Sequence, residues 1–138
     1  MTRQRLTLIT LSVADIPRAL AYHRALGWEP SFHNDDVAFF DMPGFKLGLF
    51  TRAGLARETG RTESELGTGA TSISVNHPDR EGVDAAHAAA LAAGAREITA
   101  PEATAWGGYS GYVADPDGHL WENAHNPFWE LTKEGWLA

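Results

Sequence analysis

Residues 106–122 read WGGYSGYVADPDGHLWE, and this stretch decides the fold. Two runs rich in apolar and aromatic residues, 109–114 and 119–125, flank the turn sequence DPDG at 115–118. Proline fixes φ and glycine tolerates a positive φ, so this composition is typical of a tight turn. The pattern predicts two antiparallel strands joined as a hairpin.

The residues before this hairpin alternate strand and helix signals. Residues 71–76 predict a strand, and 79–93 predict an alanine-rich helix that is capped near Asp79 and ended by Gly94. Residues 95–99 predict another strand. With the hairpin, the second half is a βαβββ module over about residues 70–126.

The first half shows the same order of signals over about residues 5–51. A strand at 6–13 is followed by a helix at 19–26, which Asp15 and Pro17 introduce and Gly27 ends. Strands are predicted at 28–32, 37–41 and 45–51. Three landmark pairs suggest an internal repeat: Val13 with Val75, Gly27 with Gly94, and Gly44 with Gly118.

Two segments lie outside the modules. Residues 52–69 are rich in charge, Thr and Gly and predict a surface connection with one short helix at 53–57. Residues 127–138 predict a C-terminal helix that begins at Pro127 and docks on the body of the protein or on a partner subunit through large apolar side chains. These side chains are Phe128, Trp129, Leu131 and Trp136.

Length and composition limit the classes of protein. The 138 residues fit a single domain spanning 1–138, and a 43% apolar content is ordinary for a globular protein. A net charge of −7 disfavours nucleic acid and acidic membranes as partners. No cysteine is present, which excludes disulfides and thiolate chemistry. No run resembles a membrane span or signal peptide, so a cytoplasmic location is expected.

The stretch 106–122 resembles the C-terminal signature of the vicinal-oxygen-chelate superfamily, which includes glyoxalase I, bleomycin-resistance proteins and extradiol dioxygenases. Residues 11–15, LSVAD, together with Tyr22 and the Leu26-Gly27 pair, are similar to the first strand and helix of that superfamily. The resemblance implies an α+β fold in which two βαβββ modules form facing curved mixed sheets around a cleft. It also implies a homodimer, with the cleft formed either within one chain or across two.

Enzymes of the superfamily hold a divalent metal through four strand residues, and the resemblance carries over one of them. Glu122 matches the ligand that follows the final turn, whereas Leu8, Gly48 and Ala70 stand at the other three positions. We therefore expect no metal and no other cofactor. His23 and His87 lie on the predicted helices, where a lone histidine is more typical of the surface.

Strand alternation assigns side chains to the predicted cleft. Side chains alternate between the two faces of a strand, so Leu120 and Ala124 share the face of Glu122, whereas His119 and His125 point away. Glu122 has three possible roles: a relic bonded to neighbouring hydroxyls, a salt-bridge partner of Lys46, or the anchor of a cationic ligand. Phe39 or Phe40 is a further candidate for an aromatic wall. The predicted ligand-binding residues are Glu122, Trp106, Tyr109, Phe50, Lys46, Phe40, Ser72 and Ser74.

Three functions remain open. The leading hypothesis is a glyoxalase/bleomycin-resistance-like protein that binds a small aromatic or cationic molecule in a metal-free cleft. The second is a divalent-metal-dependent lyase, isomerase or dioxygenase, in which Glu122 would be the catalytic residue. The third is a structural or regulatory protein whose cleft is vestigial. The missing ligands favour a binding protein over an enzyme.

Overall fold

The computed structural model describes residues 3–138, and its elements form two units that divide between Gly67 and Thr68. This division falls inside the predicted connection 52–69. Each unit is a βαβββ module with its own four-stranded mixed sheet. The α+β class and the two modules are therefore confirmed. None of the helices within residues 3–138 is long and apolar enough to cross a membrane.

The sheet of the first unit has the strand order β1-β4-β3-β2. Strands β1 and β4 pair in parallel, and the other pairs are antiparallel. Strand β2 has two residues and begins later than the predicted strand at 28–32. The elements are β1 (Leu8–Val13), α1 (Ile16–Ala25), β2 (Phe32–His33), β3 (Val37–Met42), β4 (Phe45–Thr51), α2 (Arg52–Thr59) and a 3-10 turn (Glu63–Glu65).

The second unit repeats this topology in the order β5-β8-β7-β6. Strands β5 and β8 are parallel, while β6, β7 and β8 pair antiparallel. The predicted hairpin of residues 106–122 is the β7–β8 pair, with the turn at 115–118. The elements are β5 (Ser72–Asn76), α3 (Arg80–Ala93), β6 (Arg96–Ala103), β7 (Tyr109–Ala114) and β8 (Leu120–His125).

The two long helices begin in the same way. The side chain of Asp15 accepts a hydrogen bond from the backbone N–H of Arg18, and Asp79 does the same for Gly82. These carboxylates satisfy N–H groups that the first helical turn cannot pair internally. Helix α3 ends at Gly94, whose φ of 118° is left-handed and favours glycine. The predicted caps Asp15 and Asp79 and the stop at Gly94 are thus confirmed, whereas α1 begins at Ile16, three residues before the predicted helix at 19–26.

Each unit buries its own apolar side chains between a sheet and a helix. In the first unit Val13, Ile16 and Leu49 are nearly inaccessible, and in the second Val83 and Val113 are. Burying one such side chain contributes roughly 1.5–3 kcal/mol. Packing against a helix therefore stabilises one side of each sheet.

Strand pairing gives a different correspondence between residues of the two modules from the one that the sequence landmarks suggested. Gly48 and Glu122 each stand four residues after a turn glycine, and they pair with Thr10 and Ser74 respectively. The counterpart of Leu8 is therefore Ser72, and the match that gave Ala70 is wrong by two residues. Since the error is an even number, every residue keeps its assigned face.

The C-terminal segment contains no helix, so the prediction of a helix at 127–138 is wrong. Leu131 and Leu137 instead form an isolated antiparallel bridge. The side chain of Asn126 accepts the N–H of Phe128, and Gly135 has a φ of 91°, so turns replace the helix at both ends of the segment. Docking on the body of the same chain is not found for Phe128, Trp129 and Trp136, which are all more than half exposed, and docking on a partner subunit stays a prediction.

Candidate functional site

Glu122 lies near the middle of β8, between neighbours on both sides. It pairs with Ser74 of β5 and with Tyr112 of β7. Residues paired directly across strands share a face, so these three side chains lie together on the side away from α3. We call the side of the second sheet that carries Ser72, Ser74, Tyr112 and Glu122 the Glu122 face.

Hydroxyl groups surround the Glu122 carboxylate. The hydroxyl of Ser74 donates to Glu122 Oε1 at 2.6 Å. Burial raises the pKa of the Tyr112 phenol, and the charge of Glu122 and a hydrogen bond with it raise the pKa further, whereas Ser72 lowers it. This geometry matches the first role considered for Glu122, that of bonding neighbouring hydroxyls. The carboxylate is consequently oriented rather than freely rotating.

The Tyr112 phenol gives a direct test of this arrangement. In Glu122→Gln the negative charge is lost, so the pKa of Tyr112 should fall, yet stay above its ordinary value near 10 because the ring remains half-buried. A titration followed by the 13Cζ chemical shift of tyrosine measures this change. Tyr109, whose pKa is raised mainly by a hydrogen bond to Asp84, is the internal control. An unchanged Tyr112 titration would contradict the contact.

Lys46 has a partner within its own unit. Asp41 pairs with Lys46 across β3 and β4, and the two side chains form an ion pair. The Lys46 ammonium, together with the Ser31 hydroxyl, holds the pKa of the Asp41 carboxyl below its ordinary value. Both groups of the pair are largely exposed, so it contributes little to stability.

Phe40 is a core residue, not part of an open face. It is 2% exposed, and its ring lies 5.2 Å from His23 and 5.8 Å from Trp28, centroid to centroid. The sequence left open whether Phe39 or Phe40 formed an aromatic wall, and the prediction of Phe40 as a ligand-binding residue is wrong because its side chain belongs to the core. Phe39 lies on the opposite face and pairs with Gly48.

The other predicted aromatic residues are divided between surfaces. Trp106 is 48% exposed and its ring covers Gly108, where an added Cβ would come within 2.0 Å of the indole. Tyr109 lies on the helix side of the second sheet, since its hydroxyl donates to Asp84 at 2.7 Å and Arg80 stacks on its ring. Tyr109 is therefore on the face opposite Glu122. Phe50 packs against Gly54 in the first turn of α2.

The two helix histidines are buried, so their predicted surface location is wrong. His23 is 3% exposed and His87 is 4% exposed. His87 Nε2 lies 2.8 Å from the Glu97 carboxylate of β6. The two histidines occupy the same place relative to the capping residues Asp15 and Asp79, so each helix turns an imidazole toward its own sheet.

The residues at the four implied ligand positions do not fit a divalent metal. Glu122 supplies a carboxylate, but Leu8 and Gly48 supply no donor, and Ser72, the true counterpart of Leu8, supplies a neutral hydroxyl. A Cβ at Gly48 would lie 3.1 Å from Leu8 and 3.2 Å from the ring of Phe39, so apolar side chains fill that place. Within residues 3–138 no three His, Cys, Asp or Glu side chains are grouped to hold an ion.

Sequence reasoning missed Tyr112, although a signal for it was present. The DPDG turn fixes the pairing of β7 with β8, and counting outward from the turn places Tyr112 opposite Glu122. The arrangement can bind a group that carries positive charge or donates hydrogen bonds, because the carboxylate is an acceptor already oriented by Ser74.

Comparison with known proteins agrees with this architecture. The family model of the Glyoxalase/Bleomycin resistance protein/Dioxygenase superfamily matches residues 5–123. A crystal structure of a glyoxalase-related enzyme from Fulvimarina pelagi is 30% identical and has a TM-score of 0.91, with 99% of this chain and 98% of that chain covered. No match is found among curated proteins.

Two further structures share the fold at lower identity. A glyoxalase/bleomycin resistance protein/dioxygenase family enzyme from Burkholderia phytofirmans PsJN is 19% identical, with a TM-score of 0.77 over 88% of this chain and 98% of that chain. Lactoylglutathione lyase from Agrobacterium tumefaciens is 20% identical, with a TM-score of 0.69 over 95% of this chain and 100% of that chain. At these identities the likeness shows the fold alone.

Proposed function

Because the chain belongs to the glyoxalase/bleomycin resistance protein/dioxygenase superfamily, we propose that it binds a small aromatic or cationic molecule at the Glu122 face without a metal ion. The observation that best supports this proposal is the Ser74–Glu122 hydrogen bond of 2.6 Å. It orients one carboxylate among neutral hydroxyls. A ligand cation is the natural partner of such a carboxylate.

The surroundings of Glu122 suit an organic ligand rather than a bare ion. Ser72 and Ser74 are exposed and offer hydroxyls, and the half-buried ring of Tyr112 offers an aromatic surface. A cation beside an aromatic ring is attracted by both the ring and the carboxylate. The net charge of −7 adds a weak long-range attraction for cations.

The metal-dependent alternative lacks imidazole and carboxylate donors at three of the four implied ligand positions. A catalytic divalent metal usually has three protein ligands, and here one carboxylate stands among Leu8, Gly48 and Ser72. Those three residues supply no imidazole and no second charge. We therefore propose binding, rather than metal-assisted lyase, isomerase or dioxygenase chemistry, as the function. The homodimer and the cytoplasmic location implied by the resemblance belong to the same proposal.

Elemental analysis tests the metal-free part of the proposal. Purified protein, measured before and after incubation with zinc, manganese, iron, nickel and cobalt salts, should hold well below one ion per chain. Glu122→Gln should give the same result. Stoichiometric metal that disappears in Glu122→Gln would overturn the proposal and make the metal-dependent enzyme the leading function.

Ligand titration tests the binding part. Trimethylphenylammonium should bind more tightly than its neutral isostere tert-butylbenzene, and Glu122→Gln should weaken the binding of the cation about tenfold or more by loss of its charge partner. Isothermal titration calorimetry measures both affinities. Glu58→Gln, which removes an exposed carboxylate of α2, is the matched control. Equal weakening of cation binding in Glu122→Gln and Glu58→Gln would show that only the net charge of the protein matters, and would contradict a site at Glu122.

A further inference from the structure

A cavity lies in the second unit, away from the Glu122 face. It has a volume of about 470 Å³ and opens where β5 and β8 end and the C-terminal segment crosses them. His77, His125, Trp129, Glu130, Leu131 and Lys133 are among the residues that line it. Ligand sites for small organic molecules are typically about 300–1,000 Å³, so the volume suits a small molecule.

Hydrogen bonds fix both imidazoles of this cavity in one tautomer. His125 Nδ1 lies 3.1 Å from the backbone carbonyl of His77, which accepts, so Nδ1 carries the proton. His77 Nε2 lies 2.9 Å from Asn123 Oδ1 and donates to it. The remaining nitrogens, His125 Nε2 and His77 Nδ1, are therefore acceptors in the neutral rings. Neither has a partner among residues 3–138.

The charged groups of the cavity add a third acceptor. The Glu130 carboxylate forms no ion pair or side-chain hydrogen bond within the described chain, whereas Lys133 lies 3.9 Å from Glu134. The Lys133 side chain is 92% exposed, so water screens its charge. Two imidazoles and one carboxylate thus line the same cavity as the exposed indole of Trp129.

The walls of the cavity are hydrogen-bonded structure. The N–H of His77 donates to the carbonyl of Ala124 at 2.8 Å and extends the pairing of β5 with β8. Across the cavity, the N–H of Ala138 donates to the carbonyl of Glu130 at 3.0 Å and closes the C-terminal turn. The two imidazoles and the backbone of Glu130 are consequently held in place before any ligand arrives, which lowers the entropy cost of binding.

We propose that this cavity binds a small organic ammonium whose apolar or aromatic body packs on Trp129. The ammonium supplies three N–H donors, and the cavity supplies Glu130, His125 and His77 as acceptors. The positive charge is also attracted by the indole face. The site is separate from the Glu122 face, because His77, Asn123 and His125 lie on the helix side of the second sheet.

Calorimetry with three probes of matched shape tests the proposal on the full chain. We expect 2-phenylethylammonium to bind with a Kd on the order of 1 mM, and neutral 2-phenylethanol and anionic 3-phenylpropionate to bind at least tenfold more weakly. Glu130→Gln and Trp129→Ala, both at exposed positions, should each weaken the ammonium at least fivefold. His125→Phe should do the same if it folds, and the two exposed variants decide the matter if it does not.

Glu122→Gln separates this site from the proposed function. If the cavity binds the ammonium, the Glu122→Gln protein, whose Glu122 face has lost its charge, still binds it, and adding Glu130→Gln to that protein weakens the binding at least fivefold. A loss in Glu122→Gln but not in Glu130→Gln would overturn the second site and leave the Glu122 proposal standing. Preference for 3-phenylpropionate, or no saturable binding of the ammonium, would also overturn the second site.

Discussion

Replacing Asp115 by alanine is expected to lower the free energy of unfolding by about 3 kcal/mol. This side chain, 7% exposed, organises the turn between β7 and β8. Its Oδ1 accepts the N–H groups of Asp117 at 2.9 Å and His119 at 3.0 Å. Its Oδ2 accepts the indole N–H of Trp121 at 3.0 Å. Alanine would leave all three donors without this acceptor.

Urea denaturation of the two proteins measures the loss, and the melting temperature should fall by roughly 10 °C. Asp35→Ala removes an exposed carboxylate and should stay within about 0.5 kcal/mol of the parent. In a double-mutant cycle, Trp121→Phe should recover part of the effect, because the indole donor is gone. A loss below about 1 kcal/mol in Asp115→Ala would mean that water replaces the carboxylate.

Replacing Gly111 by alanine is expected to cost about 2 kcal/mol through crowding. An added Cβ would lie 2.8 Å from the backbone nitrogen of Pro101 and 3.0 Å from its ring, and a backbone atom cannot rotate away. Gly111 also stands in β7, which has pairing strands on both sides. The strand would therefore have to shift within the sheet.

Gly67→Ala is the matched control for this substitution. A Cβ at Gly67 meets nothing within 4 Å, so alanine there should be neutral or slightly stabilising. Thermal unfolding of both variants against the parent gives the comparison. Equal stability of the two variants would show that β6 moves aside without cost, and would contradict the expectation that Gly111→Ala is destabilised by crowding against Pro101.

The sequence predicted the fold well because its turns and caps are local. The DPDG turn, the capping carboxylates Asp15 and Asp79, and Gly94 each act within a few residues. The prediction of a C-terminal helix was wrong because of another local hydrogen bond. Pro127 and several apolar residues resemble a helix start. The side chain of Asn126, however, accepts the N–H of Phe128 and favours a turn at this point instead of a helix.

The candidate site was harder to predict because it depends on pairing between distant strands. Phe39 and Phe40 are neighbours that point to opposite faces, and a choice between them needs the pairing with β4. The burial of His23 and His87 depends on which side of each helix meets its sheet. Glu122 was identified through the family resemblance, which places a ligand after the final turn, whereas the contact of Tyr109 with Asp84 depends on how α3 packs on the sheet.

Pro101, which limits the space at Gly111, also affects how this protein meets other chains. It stands in β6, at the outer edge of the second sheet, where pairing with β7 is irregular between Glu97 and Glu102. An edge strand normally offers a row of free N–H and C=O groups to which another strand can add. Proline lacks the N–H, and the irregular stretch bends the row. The residue that limits the space inside the sheet thereby leaves its outer edge with one N–H fewer for another strand to bind.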